Sequence, residues 1–463
     1  MPTILRSSTR VVLLLAVAAV LLIGIHLSSF SPLRRWRHST IGVFTATPDS
    51  APSIADPDSP PCQQLGRPDD VVVVMRTGAT EIKDKLPVHL NTTFRCYPDV
   101  LIFSDYAEIF GGQQVHDVLA DIDDDLKRNK DDFEHYRRLQ RLGRDGLQVD
   151  ELHGESFESG PIGKSDNPGW RLDKWKFLPM IAQSLRLRPE KKVFVFVEPD
   201  TYIVWSNMVR WLDKIDATKP LYYGSEVQIG HDVFAHGGTG FVMTRPAMEV
   251  GAREYQEHTD EWHQRTAIHW AGDCILGTAL TKAGVPLQWS WPMFQGGKPA
   301  DLSWRDSKSG RHLWCTPALS YHHLQTPEIE DTWGWEQQHI ARTLVNQDTR
   351  SFWHHDDTIL HHKDLFNDYV LPNISASRTD WDNFSLDLVP DTEGTSLDHC
   401  QKHCDTTENC VQYSFGPKGC STSTNFYLGA VSTQDIVSGW KANMIDASMR
   451  QMPSCQGQRG WIL

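Results

Sequence analysis

The sequence predicts an α/β protein, a mostly parallel sheet flanked by helices, on three observations. "DDVVVVMRTG", "PDVLIFSD" and "KKVFVFVEPD" are short β-branched and aromatic runs, apolar on both faces as central strands are. Segments with helical apolar spacing lie between and after them. Near the C-terminal end, "CQKHCDTTENCVQYSFGPKGC" packs four cysteines into 21 residues, which predicts a small disulfide-stapled module. With 463 residues and 40% hydrophobic content, there is material for one large core and a smaller one.

From the N-terminus, Arg6 and Arg10 precede "VVLLLAVAAVLLIGI", Val11 to Ile25, a run too aliphatic for a soluble helix end. No small-x-small cleavage site precedes Arg34. Residues 1–10 are therefore expected as a cytoplasmic tail and 11–27 as a signal-anchor transmembrane helix, with secretion the outcome if the segment is cleaved. Arg34, Arg35 and Arg37 count against that orientation, since positive residues favour the cytoplasmic side. "TATPDSAPSIADPDSPP" cannot bury enough surface to fold, so residues 28–61 read as a flexible stem. Nine cysteines and sequons at Asn91, Asn373 and Asn383 agree with a body in the secretory lumen. A formal charge of -14 without any long Lys/Arg run excludes nucleic acid as the main partner.

After the third run, "SNMVRWLDKI" offers Ser206 or Asn207 as N-cap and Met208, Trp211, Leu212 and Ile215 as one apolar face. Before it, "WRLDKWKFLPMIAQSL" is helical in character, and Pro179 should kink or restart it. "DIDDDLKRNKDDFEHYRRL" contains Asp-x-Asp but follows no strand, so it reads as a solvated helix start favoured by the dipole. His354, His355, His361 and His362 raise a metal site, but no spacing converges them, and a solvated surface is the expectation.

The third run ends on Glu198, Pro199 and Asp200. In extended chain, residues two apart point the same way, so both carboxylates can serve one site, and Pro199 places the motif at a strand end. Ligands of open α/β sheets collect at the carboxyl ends of strands, where Arg76, Thr77 and Asp105 also arrive. The competing reading is a turn into the next helix, with Asp200 or Ser206 capping.

Four ordered blocks resemble the fringe and core 1 β1,3-galactosyltransferase family, glycosyltransferase family 31: "VFVFVEPDTYIVWSNMVRWL", "KPLYYGSEVQIGHDVFAHGGTGFVMTRPA", "WAGDCILGTALTKAGV" and "CTPALSYHHL". The resemblance spans roughly residues 69 to 330 and implies a GT-A nucleotide-sugar transferase fold over 62–345. It also implies an inverting transfer from a UDP-sugar, galactose foremost, with Mn²⁺. The family's Asp-Asp-Asp is here Glu198-Pro199-Asp200, so Asp200 is matched to the metal, with Glu198 assisting, and His322 supplies the imidazole beside its neighbour His323. Asp273, opening the Asp-x-x-x-Gly block, is matched to the base that deprotonates a glycan or glycoprotein acceptor; capping its helix is the competing role. Asp105 is matched to the nucleoside contact, Arg76 and Thr77 to the first strand end, and Lys174 to a lysine-bearing segment, although Trp175 beside it has core spacing. Gly237 and Gly238 of "HGGTGF" are matched to a sugar-binding loop, the plainer alternative being a tight turn.

Cys274 and Cys315 flank the proposed base and imidazole, and a disulfide between them would join the two blocks. Cys400, Cys404, Cys410 and Cys420 resemble a PAN/Apple domain, expected over 391–463 after a connecting segment at 346–390. Such modules bind protein or carbohydrate partners. The resemblance as a whole implies a single-pass type II protein of the Golgi or endoplasmic reticulum membrane with a lumenal catalytic domain.

Overall fold

The three apolar runs become neighbouring strands, and both faces of each are buried because helices cover the sheet on both sides. The computed structural model describes residues 59–66, 68–152, 167–305, 307–346, 352, 358–374, 377–453, 455 and 460–463. The expected anchor, nearly all of the expected stem, and His354 and His355 lie outside these residues. Among the described residues, no helix is long and apolar enough to cross a membrane.

The strands run in order β1 (Val71–Arg76), β2 (Val100–Ser104), β3 (Glu108–Phe110), β4 (Gln113–Asp117), β5 (Val193–Val197), β6 (Tyr202–Ile203) and β7 (Tyr222–Gly224). Then come β8 (Glu226–Ile229), β9 (Asp232–Ala235), β10 (Phe241–Thr244), β11 (Gln288–Trp289), β12 (Ser307–Lys308), β13 (Arg311–His312) and β14 (Ser320–Tyr321). Eight of them make one sheet in the order β11-β7-β10-β5-β1-β2-β4-β3. β5, β1, β2 and β4 are parallel, whereas β10 runs antiparallel to β5 and β7. Consequently the carboxyl ends of β1 and β5 and the start of β10 meet at one edge, which brings the glycine loop before Phe241 to the residues after Val197.

Alternation along the strands sorts the side chains. Val72, Val74, Phe103, Phe194, Phe196 and Met243 face the helices Phe177–Leu187, Arg245–Glu257 and Gly272–Lys282. Val71, Val73, Met75, Val195, Val197 and Val242 face Ile82–Asn91, Trp205–Leu212 and Thr326–Asn346. Each such side chain contributes about 1.5–3 kcal/mol relative to an exposed one. Pro179 sits in the first turn of Phe177–Leu187, where its missing N–H costs no helical bond, so the helix restarts as expected.

The helix expected to be capped by Ser206 or Asn207 instead begins at Trp205 with no side-chain cap. Buried Glu336 takes over that task, accepting from the Ser206 N–H at 2.8 Å and the Ser206 hydroxyl at 2.6 Å. Asn207 donates to the Ala318 and Leu360 carbonyls. The acidic stretch behaves as expected: Asp123 caps Asp124–Asn129, accepting from the N–H groups of Asp125 and Leu126.

The cysteine-rich segment forms a five-stranded antiparallel sheet with the helix Leu397–Thr406 beside it; Cys400–Cys420 joins helix to sheet, and Cys404–Cys410 ties the helix to the loop that enters the strand Gln412–Gly416. Both of its edge strands, Ser377–Thr379 and Asp387–Leu388, come from the stretch expected as a connection. The module also shares a core with the larger domain, where Trp304, Trp314 and Phe366 pack with Phe426, Trp440 and Ile445. Residues Asp58 to Leu463 thus form one compact unit.

The disulfide suggested between Cys274 and Cys315 does not form. Cys315 bonds Cys455, Cys62 bonds Cys96, and Cys274 is free and buried. The reason is packing: Cys274 faces Phe234 and Ala271, whereas Cys315 lies in the core shared with the C-terminal module. The Asn383 sequon is also misplaced for glycosylation, because its buried amide donates to the Tyr413 and Gly439 carbonyls. Asn91 and Asn373 are exposed.

Candidate active site

At the end of β5 the chain turns through Glu198, Pro199 and Asp200 into β6. The Thr201 N–H closes the turn on the Glu198 carbonyl at 3.0 Å, and the Thr201 hydroxyl donates to the Gly238 carbonyl at 2.6 Å. The Pro199 carbonyl accepts from His89 Nε2–H at 2.7 Å, which leaves His89 Nδ1 to accept from Thr93 at 2.8 Å. Burial pushes His89 down to about 4, so the ring is neutral near pH 7, with the one N–H this arrangement requires.

β6 pairs antiparallel with β14, Tyr202 opposite Tyr321, and that register carries His322 and His323 alongside Thr201 and Asp200. The Leu324 N–H holds the Asp200 carbonyl at 3.0 Å. Asp200, His322 and His323 then offer one donor atom each, all within 4.8 Å of one another. Asp200 Oδ1 lies 3.3 Å from His322 Nε2, yet Asp200 Oδ1 and His322 Nδ1 are buried without a hydrogen bond. Buried orphan polar atoms ask for a partner, and an oxygen and imidazole donor set suits a divalent cation. His323 has φ of 63°, a left-handed conformation uncommon outside glycine, and its ring stacks on His322 at 3.8 Å.

Burial opposes charge on Asp200, but Lys85 and His322 outweigh it and hold the carboxyl well below the usual range. Burial likewise opposes protonation of His322, and Asp200 overcomes it, raising the imidazole. His323 is pushed down to about 4 by burial and by the neighbouring His322, which leaves a neutral ring with a lone pair to offer.

Arg76, Lys174, Glu198, Asp200, Gly238, Asp273 and His322 line one cleft, so the structure gathers most of the expected residues. Glu198, expected to assist the metal, stands beside the donor cluster: Arg76 bridges it to Asp173, and its second oxygen is 3.9 Å from His322 Nε2. His323 takes the third donor place. Lys174 Nζ pairs with Asp132 at 2.9 Å, and Trp175 is core, as its spacing predicts.

Thr77, Asp105 and Gly237 lie behind the cleft wall. The Thr77 carbonyl accepts from Lys176 Nζ at 2.8 Å. Asp105 is fully buried, accepting from the Ala79 N–H at 2.7 Å and the Ser104 hydroxyl at 3.0 Å. Burial opposes its charge, but Lys176 and His135 keep the carboxyl far below the usual range. Gly237 donates its N–H to Asp273 Oδ2 at 2.8 Å, while the Cys274 N–H bonds Oδ1 at 2.9 Å. Asp273 therefore sits in the first turn of Gly272–Lys282, but Ala271 occupies the N-cap position. At Gly238 any Cβ would overlap the His322 imidazole, so the glycine is required by close approach.

Sequence reasoning missed Lys85, which reaches Asp200 from the helix Ile82–Asn91, and the buried Lys176. Neither belongs to a local spacing pattern, so only the docking of their helices reveals them. It also misjudged His361 and His362, which are buried rather than solvated. His362 accepts from the Tyr321 hydroxyl at Nδ1 and donates from Nε2 to the Pro292 carbonyl, both at 2.8 Å. No protein-family model matches the chain, and no curated protein matches it.

Proposed function

We propose that the chain is a metal-dependent inverting glycosyltransferase that moves a hexose, galactose foremost, from a UDP-sugar to a glycan hydroxyl in a β1,3 linkage. The observation that carries this reading is the cluster Asp200, His322 and His323 in one cleft with Asp273, at the carboxyl ends of β1 and β5. Similarity of the sequence to glycosyltransferase family 31 supports the donor class and a GT-A fold, and similarity to PAN/Apple domains supports a partner-binding role for the C-terminal module. Four disulfides support a lumenal body, anchored in the Golgi or endoplasmic reticulum membrane by residues 11–27.

Asp200, His322 and His323 would hold Mn²⁺, with Glu198 close enough to assist through water. Bound there, the ion supplies charge neutralisation for a departing diphosphate. Asp273 is the base. Each of its oxygens accepts one backbone N–H, which fixes the carboxylate and leaves lone pairs to receive a proton. As the acceptor oxygen bonds the anomeric carbon, the carbon–oxygen bond to the diphosphate breaks and the hydroxyl proton passes to Asp273. Attack opposite the leaving group inverts the centre. Arg76, Lys85 and Lys174 also line the cleft, each paired with a carboxylate, so the ion would supply the positive charge an anionic donor meets there.

The test is UDP release by the full chain against a panel of UDP-sugars, with and without Mn²⁺, beside Asp200→Ala. Mn²⁺-dependent release from one donor, lost in the variant, is expected. A second reading, a carbohydrate-binding or scaffolding protein without turnover, is favoured by one feature: Lys85 already neutralises Asp200. Absence of release from every donor, with a broad acceptor mixture and a folded protein, would favour it.

A further inference from the structure

We propose that Trp270, supported by Trp170 and His269, is an aromatic platform at the mouth of the cleft that binds one pyranose ring of the acceptor glycan. The inference rests on the transferase reading and adds where the acceptor lies. Trp270 is 50% exposed, whereas Trp205, Trp211, Trp262 and Trp304 are almost completely buried. Its plane is 18° from that of Trp170 at 6.4 Å between centroids, and 10° from that of His269 at 6.2 Å. Trp170 and His269 are thus nearly parallel to the half-exposed Trp270, and both indoles line the cleft that holds Asp200 and Asp273.

The platform is held in place from below. His269 Nδ1 accepts from the Ala271 N–H at 3.0 Å. A Cβ on Gly272 would come within 2.6 Å of the Lys174 carbonyl oxygen, so the segment is pressed against the neighbouring helix. Trp270 is also three residues ahead of Asp273, which ties the platform to the proposed base through one short stretch of chain.

The chemistry of the surroundings selects the occupant. A lipid tail needs a continuous apolar trough, but Asp173, Lys174 and Asp273 line the same cleft. A pyranose matches both features, since the C–H groups on one face lie against an aromatic ring while hydroxyls at its edge meet charged groups. In a galacto-configured ring the axial hydroxyl leaves H3, H4 and H5 together on the opposite face, which is the face expected against Trp270.

Saturation-transfer NMR with methyl β-galactoside and methyl α-N-acetylgalactosaminide tests the platform on the full chain, without donor or metal. Transfer should concentrate on H3, H4 and H5. Affinity should fall on the order of five- to tenfold in Trp270→Ala, partly recover in Trp270→Phe, and hold in Ile268→Ala, a neighbouring substitution at an exposed side chain. Quenching of wild-type tryptophan emission by the same glycosides gives a readout that needs no variant. Equal transfer in Trp270→Ala, or no transfer and no quenching in the wild type, overturns the platform. UDP release by the same preparation judges the transferase reading separately. Release without Trp270-dependent glycoside contact sinks only the platform, and contact without release sinks only the transfer reaction.

Discussion

The Lys85 ammonium lies 3.2 Å from Asp200 Oδ2 and 3.0 Å from Glu81 Oε2, so the acid at the centre of the donor cluster is paired with a built-in cation. A divalent ion binding Asp200 must displace or tolerate that ammonium. Two unit charges 4 Å apart interact by about 4 kcal/mol at an effective dielectric constant of 20, and desolvation offsets much of this.

Lys85→Met should therefore tighten Mn²⁺ binding, by roughly tenfold, which corresponds to about 1.4 kcal/mol. Without metal the same variant should be less stable than wild type, because a largely buried carboxylate loses its partner. Titration of Mn²⁺ followed by electron paramagnetic resonance reads the first effect, and unchanged or weaker binding would count against Asp200 as a ligand.

Asp273→Asn keeps the size of the side chain and retains one oxygen to accept from Gly237 or Cys274, but it cannot take a proton. Turnover should fall by about 10²–10⁴-fold. Mn²⁺ affinity should stay within about twofold, since Asp273 is outside the donor cluster. A variant that still releases UDP at the wild-type rate in the presence of acceptor would remove Asp273 from the base role.

Burial pushes His362 down to about 3, against about 6.5 in an unfolded chain. The folded-state value is depressed, so between these limits the unfolded state binds the extra proton, and stability falls as pH drops from about 6.5 toward about 3. One such histidine contributes about 1.4 kcal/mol per pH unit inside that window. His362→Gln can still accept from Tyr321 and donate to Pro292, so it should flatten the decline by about one proton. Urea midpoints at pH 7 and pH 5 measure this; parallel declines in variant and wild type would mean that His362 is not the group being protonated.

Peptide mapping without reduction should recover Cys62–Cys96, Cys315–Cys455, Cys400–Cys420 and Cys404–Cys410, with Cys274 as a thiol. Burial pushes that thiol up to about 12, so it should resist alkylation until the protein is unfolded. Cys455→Ser should cost about 2–5 kcal/mol, because it opens a long loop and frees the C-terminal segment, whose Ile462 carbonyl accepts from Trp211 Nε1–H. A Cys274–Cys315 peptide in the map would refute the structure at this point.

What the sequence by itself determined was the central strands and where they stop. Runs such as Val71–Met75 and Val193–Val197 are apolar at every position, and such runs belong only where both sheet faces are covered. Because side chains alternate and Pro199 ends the ladder, Glu198 and Asp200 had to emerge at a strand end, and the Arg76 edge is the same one. A disulfide-stapled module around Cys400, Cys404, Cys410 and Cys420 was legible too, since four cysteines fall within 21 residues, whereas which of them pair was decided by the fold. Tertiary structure alone decided which partners meet across long separations. Lys85 reaches Asp200 across 115 positions, Arg76 bridges Glu198 and Asp173, and Cys315 pairs with Cys455 across 140. Local periodicity reports which way a side chain points, whereas such contacts depend on how whole elements dock. For the same reason His362, which reads as a polar residue in a charged stretch, proved to be buried between Tyr321 and Pro292, where only the assembled core supplies its two hydrogen bonds.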